Sequence, residues 1–220
     1  MGARSFARPR CGGCGLHLEL CLCDEMPRLE LRTRIVVVQN NHERNKPTNT
    51  GRLVPMLLRN AELLRYAVRG EPFDPGPLLD PGTDYHLLFP REDATELQHA
   101  SWRARDRSQA VVVLDGTWAQ CSRMSRRVPV VSTLPCLSLP PGPPTHWGVR
   151  TTNDPSRLST LDAVIRVVAL AEGPGPARVL AAFFDRLAAR MLFMKAKLRS
   201  PEVPDAWRRV LDERWPTGSG

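Results

Sequence analysis

Apolar residues fall along this chain in short β-branched runs, separated by longer stretches where they recur at helical spacing. Arg34-Ile-Val-Val-Val-Gln39 reads as a buried strand, followed by a polar loop over 40–47. Thr48-Asn49-Thr50 then supplies N-cap chemistry for a helix carrying Leu53, Leu57, Ala61, Leu64 and Val68. Because proline is tolerated only in a first turn, that helix starts near Arg52 or kinks at Pro55. A Pro/Gly-rich loop over 70–84 leads to a second strand, Tyr85-His-Leu-Leu-Phe89, and a charged helix over 91–105. Ala110-Val-Val-Val-Leu114 is a third strand, running into Asp115-Gly116-Thr117-Trp118 and a helix through Met124.

Cys136 to Leu139 is a further short strand, placed so that His146, Trp147 and Arg150 would approach the end of the Asp115 strand. Ser159 and Asp162 form a capping-box-like pair opening a helix with Val164, Val167, Val168 and Ala171 inside. Gly173-Pro-Gly-Pro176 ends it and starts a long amphipathic helix over 177–198, whose Phe183, Phe184, Leu187, Met191 and Met194 read as core. Residues 201–215 suit a small helix and 216–220 a disordered end. Strands alternating with helices predict an α/β fold: a mostly parallel sheet with helices on both faces.

At 220 residues the chain fits one main domain with appendages. No apolar run is long enough to span a membrane, and the arginine-bearing first ten residues lack a secretory apolar region, so a cytoplasmic protein is expected, as a monomer. The formal charge of +8 is carried almost wholly by arginine, with Lys46, Lys195 and Lys197 the lysines. An arginine excess favours a nucleic-acid partner, although a biased genome would also produce it. Arg103, Arg105 and Arg107 before the Asp115 strand and Arg123, Arg126 and Arg127 after it are expected to flank a site on both sides, or to form solvated helix faces.

Four of the six cysteines fall in the pattern Cys11-x2-Cys14-x6-Cys21-x-Cys23. Glycines 12, 13 and 15 let backbone amides turn around a metal, and four thiolates complete a closed structural zinc shell. Disulfides and an iron–sulfur cluster are the alternatives. Arg8 and Arg10 are expected to offset the negative charge of the thiolates, while Cys121 and Cys136 read as core.

A strand that halts on a carboxylate, a glycine and a capping threonine presents a loop at the carboxyl end of an open sheet, so Asp115 is expected to face a pocket. An ordinary turn is the alternative. Taken in order, the cysteine block, Pro47-Thr48-Asn49-Thr50-Gly51-Arg52-Leu53, Asp115-Gly116-Thr117-Trp118 and Leu158-Ser-Thr-Leu-Asp-Ala163 resemble the DTW-domain family over roughly residues 8–200. Asp162 departs from the pattern, standing where that family more often has glutamate.

The resemblance implies a SPOUT-like fold with a knotted C-terminal region, a zinc knuckle over 8–30, a catalytic domain over 31–200 and a C-terminal extension over 201–220. It also implies S-adenosylmethionine as co-substrate and transfer of its 3-amino-3-carboxypropyl group to N3 of a uridine in tRNA, releasing methylthioadenosine. On this reading Asp115 is the base that deprotonates N3 or holds the donor's α-ammonium. Arg150 and the helix start at Leu158, Ser159 and Thr160 receive the donor's carboxylate. Thr117 and Trp118 lie by the sulfonium or the target base, and Thr48, Asn49, Thr50 and Arg52 face the RNA. An RNA methyltransferase using the same donor, a non-catalytic zinc-bearing RNA-binding module and an rRNA acceptor are the rival readings.

Overall fold

The computed structural model describes residues 8–103, 106–142, 146–149 and 158–214. Six strands, β1 (Arg34–Asn40), β2 (Ala61–Tyr66), β3 (Thr83–Leu88), β4 (Thr95–Glu96), β5 (Ser108–Asp115) and β6 (Cys136–Ser138), make one sheet in the order β2-β1-β5-β3-β6-β4. Every neighbouring pair is parallel. The helices are α1 (Val54–Leu57), α2 (His99–Arg103), α3 (Trp118–Arg127), α4 (Thr160–Ala171), α5 (Pro174–Met194) and α6 (Asp205–Arg214).

Side chains alternate across a strand, and the two central strands are apolar on both sides. Ile35, Val37, Val111 and Val113 pack into a core with α1, α4 and α5; Val36, Val38, Val112 and Leu114 pack with Cys121 and Met124 of α3. Helices therefore cover both faces, as the alternation of elements predicts. The same parity decides the site: Asp115, two residues beyond Val113, projects to the α4 face together with Gln39, its register partner on β1. Phe183, Phe184, Leu187 and Met191 are buried, as are Cys121 and Cys136. Among the described residues no helix is long and apolar enough to cross a membrane.

Two expected helices are corrected. The helix expected to carry Leu53 to Val68 is one 3-10 turn, Gly51–Leu53, and the single α turn of α1, after which the chain becomes β2. Pro55 sits in the first turn of α1, and Leu58 turns extended at φ −122° and ψ 122°, fixed by the Asn60 carboxamide donating to Leu31 O at 2.6 Å. Leu64 at helical spacing from Leu57 is equally an inward position of a strand laid beside β1, and pairing with β1 decides between the two periods. Among the described residues of the helix expected over 91–105, only α2 is helical. The Arg91–Asp93 ion pair at 2.7 Å and the Ala94-to-Arg91 turn hold the start of that stretch out of helix, and Thr95–Glu96 adds to β6 instead.

The expected basic flank ahead of β5 is also not at the Asp115 rim. Arg107 pairs with Asp84 at 2.7 Å at the start of β3, a strand length of roughly 26 Å away, and Arg105 lies outside the described residues. Residues 216–220 lie outside them as well.

Candidate active site

β1 and β2 extend the sheet one way from the centre and β3 lies on the other side of β5, so the loops leaving β1 and β5 diverge at the carboxyl rim. Asp115 stands at that divergence, 3% exposed. Its Oδ2 accepts from Asn49 Nδ2 at 2.6 Å and Gln39 Nε2 at 2.9 Å, and its Oδ1 accepts from Thr160 Oγ1 at 2.6 Å. One buried carboxylate thus ties the end of β1, the loop after it and the first turn of α4. Hydrogen bonds to an ionised acceptor are the strong ones, and removing one partner costs about 1.5–3 kcal/mol.

The loop residues are committed internally. Asn49 Oδ1 accepts from the Arg52 amide at 3.0 Å and from Gln39 Nε2 at 3.2 Å, so both ends of its carboxamide are engaged. Asn49, not Thr50, caps the 3-10 turn; Thr50 Oγ1 accepts from the Leu161 amide at 3.2 Å across the rim. Ser159 caps α4 by accepting from the Asp162 amide at 3.2 Å, so the amides of Leu161 and Asp162 in the first turn already have protein acceptors. Gly51 permits this closeness: a Cβ there would lie 2.5 Å from Asp115 Cγ. Leu158 and Thr48 border the same junction, both half-buried.

Beyond Asp115, Thr117 closes a reciprocal capping box with Gln120, its Oγ1 accepting at 3.3 Å and its amide donating to Gln120 Oε1 at 2.6 Å. Trp118 opens α3 at 37% exposure, with Phe89 behind it at a ring-centroid distance of 5.8 Å. It is an aromatic plate backed by apolar surface. His146 and Trp147, expected to approach this rim, have their side chains held by the C-terminal helices. His146 Nδ1 lies 3.0 Å from Asp185 Oδ1 and stacks on Trp207 at 4.4 Å, while Trp147 is buried on Phe184 at 5.3 Å. Arg150 lies outside the described residues.

The four N-terminal cysteines cluster compatibly with a metal site: all four Sγ atoms lie within 4.8 Å of one another, with Cys11–Cys23 at 3.4 Å and Cys14–Cys21 at 3.7 Å. A tetrahedron of thiolates about 2.3 Å from zinc has edges of about 3.8 Å, so the donor set fits. All six cysteines are free thiols, and the four of the cluster converge as a set instead of as two separate pairs. Gly13 is required, since a Cβ would lie 2.9 Å from Cys23 Sγ, and Gly15 takes φ +77°. The Cys14 amide holds the Cys11 thiol down at about 6, whereas burial pushes Cys23 up to about 12.

The knuckle is built into the α4 face of the molecule. Cys14, Leu16 and Leu22 join the core there, and Arg190 Nη1 on α5 donates to Leu20 O and Cys21 O at 3.0 and 3.1 Å. Arg10 donates to Gly15 O at 3.1 Å, but Arg8 pairs with Glu19, so its expected role beside the thiolates passes to Arg52. Burial lowers the Arg52 pKa, and Cys14, Cys11, Asp115 and Cys23 counter it, which places this guanidinium between the knuckle and the Asp115 junction.

Two residues at the rim went unrecognised in the sequence. Gln39 ends an apolar strand on a polar residue just as Asp115 does, a parallel that could have flagged it. Glu43 is 0% exposed and pairs with Lys46 Nζ at 2.5 Å; an i,i+3 pair in a polar loop looks like surface decoration until the fold buries it.

Against known proteins, the DTW domain matches residues 8–192. Among curated proteins, tRNA-uridine aminocarboxypropyltransferase 2 of Mus musculus is 26% identical over 121 residues, covering 51% of this chain and 40% of that relative. No solved structure matches the chain.

Proposed function

The chain belongs to the DTW-domain family, and from that premise we propose that it transfers the 3-amino-3-carboxypropyl group of S-adenosylmethionine to N3 of a uridine in tRNA. The observation that carries this reading is the Asp115 junction, which gathers three of the four segments of the family resemblance around one carboxylate. The name of the mouse relative supplies the reaction and the substrate class.

S-adenosylmethionine supplies a sulfonium with three attached carbons, and the carbon attacked decides whether a methyl or the longer chain moves. In the proposed step N3 loses its proton, a bond forms from N3 to the γ-carbon, and the sulfur–carbon bond breaks to leave methylthioadenosine. Asp115 has three of about four acceptor sites filled, and the remaining one on Oδ1 takes the N3 proton or the donor's α-ammonium. Asn49, Gln39 and Thr160 hold that carboxylate in place, and Thr50 ties the same loop to the start of α4. Trp118 offers its face to the sulfonium or the target base. Arg150, with the backbone at Leu158 to Thr160, takes the donor's carboxylate, and Thr48 and Arg52 lie on the acceptor side.

The four-cysteine knuckle binds structural zinc, leaving no open position for a reacting water, and organises the N-terminus. The C-terminal region is proposed to be SPOUT-like and knotted, and the protein to act as a cytoplasmic enzyme. Donor labelled separately in the methyl and the carboxyl carbon tests the reaction. Carboxyl label entering tRNA supports it; methyl label entering tRNA makes the protein a methyltransferase, and neither leaves a binding module.

A further inference from the structure

We infer that the exposed face of α3, with the loop after β1, is a docking surface for the phosphate backbone of RNA leading away from the Asp115 rim. This rests on the tRNA reading above and names where that partner lies. Helix α3 buries Cys121, Met124 and Ser125. The complementary face carries Trp118, Arg123, Arg126 and Arg127, all exposed, and the helix contains no acidic residue. At i,i+4 spacing Trp118, Ser122 and Arg126 form one row and Ala119, Arg123 and Arg127 the next. With a rise of 1.5 Å per residue, Arg126 lies about 12 Å along the helix from Trp118.

Asn40 Nδ2 at the end of β1 reaches Met124 Sδ at 3.7 Å, so the loop that carries the exposed Arg44 leaves the sheet beside α3. None of Arg44, Arg123, Arg126 or Arg127 has an ion-pair or hydrogen-bond partner among the described residues, in contrast to Arg34, Arg91, Arg107 and Arg186, which pair with carboxylates. A backed aromatic beside the rim followed by unpaired guanidinium groups is the chemistry of a nucleic-acid strand: a base stacks on the first and phosphates take the second. A single-sign arginine set without acids also disfavours a protein partner of mixed charge.

The test is the affinity of the full-length protein for unmodified tRNA across a KCl series, for wild type, the triple variant Arg123→Gln, Arg126→Gln, Arg127→Gln, and the corresponding triple lysine variant. Each lost phosphate contact removes about 0.7–0.9 from the slope of log affinity against log salt, so the glutamine variant is expected to lose a slope of about 2–3 and to bind tRNA at least about tenfold more weakly. The lysine variant keeps most of both, and all three proteins bind S-adenosylmethionine equally, which shows that they are folded. Unchanged tRNA affinity and slope in the glutamine variant overturn the surface while leaving the reaction standing. Lost affinity in that variant, with a wild type that transfers nothing to the tRNA it binds, overturns the reaction and leaves the surface. A wild type that binds no tRNA overturns both.

Discussion

Asn49 Nδ2 donates to Asp115 Oδ2 at 2.6 Å, joining residues 66 positions apart and fixing the loop after β1 to the end of β5. Replacing Asn49 by alanine removes this charge-assisted hydrogen bond from a buried carboxylate and also the acceptor of the Arg52 amide and of Gln39 Nε2, an expected loss of at least about 1.5–3 kcal/mol in urea unfolding. Asn49→Asp places two carboxylates in contact and is expected to destabilise further. If both variants unfold at the wild-type urea concentration, the junction is not a fixed element of the fold.

Gly51→Ala forces a Cβ to within 2.5 Å of Asp115 Cγ, so the carboxylate or the loop must shift. Misplacement on the ångström scale costs on the order of 100-fold in turnover. Gly175→Ala, at the start of α5, is the control, since nothing lies within 4 Å of a Cβ there. Equal activity in the two variants contradicts the close packing at Gly51.

The sheet and its two packed faces were legible because β1 and β5 are β-branched runs whose burial leaves one reading. Asp115 was legible for the same reason, being a carboxylate at the end of such a run. β2 was not, since Ala61 to Tyr66 satisfies both helical and strand periods until β1 lies beside it. Nor were the bonds of Asn49 and Thr50. Asparagine and threonine ahead of apolar residues normally cap the helix that follows, whereas here their side chains reach β5 and α4, which local sequence does not encode. His146 and Trp147 were expected near the rim because the short strand before them would end there, whereas Asp185 and Phe184, about forty residues on in the chain, hold their side chains.

Thr160→Val keeps the shape of the side chain and the Ser159 cap but removes the donor to Asp115 Oδ1. Turnover is expected to fall about 10- to 100-fold with tRNA affinity unchanged, and Thr160→Ser to restore most of it. Equal turnover in valine and serine variants would show that the hydroxyl positions nothing.

Zinc loading is expected to depend on pH through the thiols. Cys23, pushed up to about 12 by burial, is protonated at neutral pH in the metal-free protein, so binding must displace its proton and affinity must rise with pH. Cys11, held at about 6, adds to the dependence only at and below that pH. Burial raises the Cys14 thiol as well, so competition with a chromogenic chelator from about pH 6 to about pH 8 should show affinity rising at least about tenfold per pH unit. A pH-independent affinity contradicts thiolate ligation at this position.

The central claim is that Asp115 serves group transfer to uridine, and nucleoside mass spectrometry of tRNA incubated with S-adenosylmethionine and either wild type or Asp115→Asn measures it directly. The account predicts a uridine enlarged by one aminocarboxypropyl group with wild type and none with the variant, although both bind the tRNA equally. The same modified uridine from both proteins, or an unmodified tRNA from both, contradicts it.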